Sequence, residues 1–263
     1  MKRADYRAAF DAVPFREDFE ERTVSALLKA VGQQSEKENQ RMKANRIRKT
    51  GLIAAAVAVV LVASAAAATL LLRPQDVALQ LSDPTLAAAF ESQNAVTVDQ
   101  SVESGDYRIT LAGLVSGAGL SDFTADVDEG RTYVVASLAR LDGADVGDAE
   151  HGVVLTPLVA GFAPWQVNAW TLGGARASFT VDGVAYYLFD CGSLEMFADR
   201  TVYLAAYEGL SPSSDYFQMA EDGSISFTDN MEGAHALFTL PLDAAKADPA
   251  AVEQFLADNG IPS

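Results

Sequence analysis

The chain has 263 residues and a single cysteine, Cys191. No intrachain disulfide and no multi-cysteine metal site is open to it, and Cys191 is most simply a small core residue. Histidine is almost as scarce: His151 and His235 stand far apart in sequence, and are better read as exposed or satisfied residues than as a metal pair. Positive charge is nearly missing from the long C-terminal part, where residues 74–263 hold 6 Lys/Arg against 28 Asp/Glu, a net of −22. That balance argues against nucleic acid as a partner and favours solubility. A hydrolase elbow of the form Gly-x-Ser-x-Gly is also lacking, because Ser193 sits in Cys191-Gly192-Ser193-Leu194-Glu195. With no nucleophile–base constellation in view, no enzyme, no catalytic residue, no metal and no cofactor is expected.

One stretch lacks charge altogether. Gly51 to Leu72, GLIAAAVAVVLVASAAAATLLL, is 22 residues long. As a helix it would measure about 33 Å at about 1.5 Å per residue, enough for a hydrocarbon core of about 30 Å. All its backbone groups would be bonded internally, as lipid requires. Ala63-Ser64-Ala65 has the small-residue pattern of a signal-peptide cleavage site. Yet about 50 residues precede the run, whereas a whole signal peptide has about 15–30. A buried core helix is the other alternative, and the one-sided basic flank argues against it. The reading is one transmembrane helix over 51–72.

Arg41, Lys43, Arg46, Arg48 and Lys49 precede the span, and only Arg73 follows it closely. The positive-inside rule then sets residues 1–50 in the cytoplasm and 73–263 outside a cell membrane crossed once. The basic stretch 41–50 also suits an anionic inner leaflet, so the lipid bilayer is the first expected partner.

Residues 1–40 read as a cytoplasmic segment forming a short helical hairpin. Tyr6, Ala9, Phe10 and Val13 share one helical face, and Pro14 ends that helix or sets a turn. A second helix runs from Phe15 to Val31, with Phe19, Thr23, Ala26, Leu27 and Ala30 on one stripe and Leu28 beside it. Two short helices cannot bury much surface between themselves. Tyr6, Phe10, Val13, Phe15, Phe19, Leu27 and Leu28 therefore need another surface. It is the hairpin packed on itself, the lipid headgroups, or a partner protein whose groove receives the stripe. Glu17, Asp18, Glu20 and Glu21 oppose the headgroup alternative through repulsion by anionic lipid.

The run Tyr6-Arg7-Ala8-Ala9-Phe10-Asp11-Ala12-Val13, then Asp18-Phe19-Glu20-Glu21-Arg22-Thr23 and Leu27-Leu28, followed by a basic stretch and one span, resembles a bacterial family. Its members are single-pass proteins with an anti-sigma-factor-like cytoplasmic helical segment and an extracytoplasmic β-rich domain of unknown function. Ser101-Val102-Glu103-Ser104-Gly105-Asp106-Tyr107-Arg108-Ile109-Thr110-Leu111 and Arg131-Thr132-Tyr133-Val134-Val135-Ala136-Ser137-Leu138 resemble its outer part. The resemblance implies a signalling regulator that couples an outer sensor with an unknown ligand to a cytoplasmic sigma factor. Zinc-type anti-sigma domains carry His-x3-Cys-x2-Cys. Residues 1–50 hold neither His nor Cys, so that zinc fold is excluded. The alternative is a membrane-anchored extracytoplasmic binding or envelope-structural module without a regulatory role.

Residues 73–98 read as a connector, with a short helix at Pro84–Phe90. Residues 99–263 read as a mainly β domain. Strands are predicted over Tyr107–Val115, Thr132–Leu138, Ala177–Val181, Val184–Phe189, Thr201–Tyr207, Ser224–Phe227 and Ala236–Leu240. Asp182-Gly183 is a two-residue hairpin signal, and a closing helix is expected over Pro249–Gly260. The fold class is an antiparallel, immunoglobulin-like β-sandwich. The acidic loops Asp122–Glu129 and Asp142–Glu150 offer oxygen ligands for calcium but lack the EF-hand pattern, so solvated loops are expected. Trp165, Trp170, Tyr186 and Tyr187 are candidates for a ligand surface, with core packing as the default.

Overall fold

The computed structural model describes residues 71–117, 127–148 and 152–262. The hairpin of residues 1–40, the basic stretch 41–50 and residues 51–70 of the predicted span lie outside them. No helix among the described residues is long and apolar enough to cross a membrane. Leu71 and Leu72, the last two residues of the predicted span, are in no helix. Both are half-buried against the domain that follows, and the Leu72 amide donates to the Tyr186 hydroxyl at 3.2 Å. The end of that span is corrected accordingly.

The expected connector is corrected over residues 74–80, whereas the short helix predicted at Pro84–Phe90 is present. Residues 74–90 form two helices, α1 (Pro74–Gln80) and α2 (Pro84–Phe90). Each opens on a proline, which is pre-set for the first helical position. The Asp83 carboxylate caps α2 by accepting from the Leu86 amide at 2.8 Å. Val77, Ala78, Leu86, Ala89 and Phe90 are buried. Their apolar spacing supplies a packed face, which a connector does not have.

Ten strands follow: β1 (Ala95–Ser104), β2 (Tyr107–Ser116), β3 (Arg131–Arg140), β4 (Val154–Val159), β5 (Ala175–Val181), β6 (Val184–Gly192), β7 (Val202–Tyr207), β8 (Phe217–Met219), β9 (Ile225–Phe227) and β10 (His235–Thr239). The fold is thus mainly β, and every pairing is antiparallel. One sheet has the order β1-β2-β3-β6-β5, a second β10-β7-β4, and β8-β9 make a separate hairpin. A last helix, α3 (Pro249–Asp258), is capped by Asp248 and ends before Gly260.

The period-2 pattern explains the packing. On β6, Ala185, Tyr187, Phe189 and Cys191 enter the main core, while Val184 and Tyr186 enter a second cluster on the opposite face. That main core also takes Leu155 of β4, Leu204 and Ala206 of β7, and Ala236 and Phe238 of β10, so both larger sheets share it. The second cluster joins the other face of the five-stranded sheet to α1 and α2. A third joins Leu158, Ala205 and Tyr207, on the other face of the three-stranded sheet, to Phe217 and Ile225 of the hairpin.

Asp182 and Gly183 close the β5–β6 hairpin with φ of 49° and 80°. Positive φ at both positions is what the two-residue primed turn demands. The strands predicted in sequence are all present, within two residues of their predicted ends except β6, which runs three residues further, to Gly192. Three further strands, β1, β4 and β8, were not predicted. β4 carries Pro157 mid-strand, which its position at a sheet edge permits.

Candidate functional site: an uncharged tryptophan cleft

The chain's two tryptophans stand on one loop, residues 160–174, between β4 and β5. Core packing was their expected fate. The structure corrects this: Trp165 is 56 % exposed and Trp170 is 90 % exposed. Tyr186 and Tyr187 do follow the core expectation and are buried. The difference is local. The tyrosines lie on a strand buried on both faces, whereas the tryptophans lie in a turn-rich segment with no strand alternation.

That loop is held by its own polar groups. Asn168, nearly fully buried, accepts from the Trp170 and Thr171 amides at 2.9 and 3.3 Å. Its side-chain nitrogen donates to the Pro164 carbonyl at 3.0 Å. The Thr171 hydroxyl accepts from the Asn168 amide and donates to the Asn168 carbonyl. Gln166 accepts from the Ala163 amide at 2.8 Å. Three bonds tie the loop to neighbouring strands. The buried Thr156 hydroxyl accepts from the Ala169 amide at 2.9 Å. The Gly192 amide donates to the Leu172 carbonyl at 2.8 Å. Arg131 donates to the Gly173 carbonyl while paired with Asp190. Gly174 fits because a Cβ there would lie 2.9 Å from the Ala169 carbonyl and 3.0 Å from the Phe189 ring.

The opposite wall is the segment after β7. Leu210 is 79 % exposed. Its carbonyl accepts from the Tyr207 hydroxyl at 2.5 Å. Burial pushes the Tyr207 hydroxyl well above the usual tyrosine range, so it remains a donor at neutral pH. Its ring packs against Tyr216, Phe217 and Phe227, which fixes where the wall starts.

Between the walls lies an open cleft of about 660 Å³, floored by Val154 and Thr156 of β4 and edged by Trp165, Trp170, Leu210 and Pro212. None of its lining residues is ionisable. The cleft therefore offers contact surface and no group for proton transfer.

The other candidates resolve into structure. Cys191 is fully buried in the main core, where burial pushes its thiol up to about 12. His235 contacts the Gly233 carbonyl through Nδ1 at 2.7 Å and meets Phe227 edge-on, whereas His151 lies outside the described residues. Asp142 pairs with Arg140, whose guanidinium holds its carboxyl down at about 2. Asp142, Asp145 and Asp128 also accept amides within their own turns. Among the described residues no group of three or more His, Cys, Asp or Glu is placed to hold a metal. Residues 122–126 and 149–150 of the acidic loops lie outside them. So do the inner candidates Tyr6, Phe10, Val13, Phe15, Phe19, Leu27 and Leu28, and the topology residues Arg41, Lys43, Arg46, Arg48 and Lys49.

No protein-family model matches the chain, and no curated protein matches it. Among solved structures, the crystal structure of a conserved domain protein from Bacillus anthracis is similar at 9 % identity and a TM-score of 0.30, over 58 % of this chain and 43 % of that one.

Proposed function

We propose that the protein is a single-pass membrane regulator whose outer β domain binds a ligand in the tryptophan cleft. Its inner helices bind a cytoplasmic regulator, a sigma factor by resemblance. The observation that carries the outer half is the exposure of both tryptophans on a loop pinned by buried polar groups. Aromatic side chains so displayed are a recurrent feature of binding surfaces. The finer fold assignment belongs to the same proposal: the two larger sheets are the halves of an immunoglobulin-like sandwich.

The inner half rests on the sequence. Apolar anchors such as Phe19 and Leu27 contribute about 1.5–3 kcal/mol each when buried. In the full chain, changing Phe19→Asp and Leu27→Asp together is expected to abolish capture of the cytoplasmic partner and release its target genes. The check is a pull-down paired with a transcript profile. Changing Trp165→Ala and Trp170→Ala together is expected to leave capture intact and make transcription unresponsive to the outer ligand. If neither double variant moves any transcript, the plain extracytoplasmic binding or envelope module replaces this reading.

A further inference from the structure

Resting on the ligand-cleft reading above, we infer that the cleft takes a proline-rich peptide in the polyproline II conformation, flanked by basic residues. Its lining carries no ionisable side chain, so nothing there rewards an anionic ligand, and the net −22 of residues 74–263 repels one. The choice among uncharged ligands turns on hydrogen bonding. Thr156, Asn168 and Thr171 spend their side-chain groups on the loop backbone. A sugar chain laid in the cleft would bring several hydroxyls per ring, each a donor and an acceptor, and the lining offers them little beyond Ser211 and the two indole N–H groups, which is unfavourable. A proline-rich segment lowers that cost, because it brings one carbonyl acceptor per residue and no donor. Proline has no N–H, and a polyproline II backbone makes no internal hydrogen bonds and stays solvated. Such segments dock through ring faces onto aromatic-lined grooves and arrive pre-ordered. Trp165, Trp170, Leu210 and Pro212 supply that kind of surface. The acidic character of the domain then selects basic flanks and steers them in.

Both tryptophans of the chain edge the cleft, so its tryptophan emission, excited selectively over tyrosine, reports on the cleft. The probe is a ten-proline peptide with two arginines at its N-terminus, titrated into the full chain in lipid nanodiscs. The expected result is a saturable change in emission. Trp170→Ala should weaken it by about tenfold or more, read through Trp165, and Trp165→Ala should do so read through Trp170. Trp170 is too exposed for its removal to disturb folding. Omitting the arginines should weaken binding several-fold at low salt. That difference should vanish at about 1 M salt, where screening acts within about 3 Å. A glycine–serine peptide with the same arginines should give no saturable response. No saturation by the proline peptide, or an affinity in both single variants unchanged from that of the unaltered chain, overturns the inference. If a neutral hexasaccharide saturates the change instead, the peptide class falls and the ligand cleft stands. If neither probe binds and the double tryptophan variant leaves transcription unaltered, both fall together.

Discussion

The domain has two outer faces, and they are finished differently. The five-stranded sheet is covered by α1 and α2, which bury Val77, Leu86 and Phe90 against Val115, Tyr133, Val135 and Tyr186. The three-stranded sheet is covered by the β8–β9 hairpin through Phe217 and Ile225. Beside that hairpin Val154 and Thr156 floor a cleft edged by exposed tryptophans. One face is closed by packing and the other is left partly open by a loop that spends its polar groups on itself. This open apolar surface is the one proposed above to take a ligand.

The largest effect is expected from removing the helical cover. A fragment of residues 73–263 is expected to fold alone into a mostly β structure. A fragment starting at residue 98 loses both helices and the start of β1, and is expected to unfold or aggregate. Circular dichroism and solubility of the pair decide it, and equal stability would mean that the helices cover nothing. Next in size, Phe217→Ala should destabilise the other face by about 3–5 kcal/mol, as for a buried phenylalanine, read from the denaturant midpoint. Asn168→Ala removes the acceptor of two amides and the donor to Pro164. The expected cost is about 1–3 kcal/mol, together with weaker binding in the cleft. A neutral result would show that the loop is not pinned by Asn168. The smallest effect is at Cys191. Burial raises its thiol value, which makes the reactive thiolate scarce, since the thiolate is the nucleophile. Alkylation at pH 8 should be undetectable in the folded chain and rapid once it is unfolded. Fast labelling of the folded chain would put Cys191 outside the core.

The parts legible in the sequence were those with a strong local pattern. The alternation of β2, the β-branched and aromatic run of β3, the Asp182-Gly183 turn and the capped run of α3 are visible because each is a strong local signal. β1 is not, because AVTVDQSVES is an edge strand exposed along most of its length, with Asp99 at a φ of 50° where its register shifts. Proline at Pro157 masked β4. The helices of residues 74–90 were half seen: their prolines read as chain breaks, whereas proline also opens helices. The candidate site was legible only as a list of aromatics. Which of them are displayed depends on Asn168, whose partners are backbone groups within its own turn and leave no periodic trace.

Both tryptophans are presented to solvent around an open cleft, and their emission is the simplest check of it. Trp165 and Trp170 are the chain's entire tryptophan complement. The folded full chain without ligand is predicted to emit at long wavelength, close to free tryptophan, and to be quenched strongly by acrylamide, with Trp170→Ala removing the more accessible component. Short-wavelength emission that resists acrylamide until the chain unfolds would contradict the account.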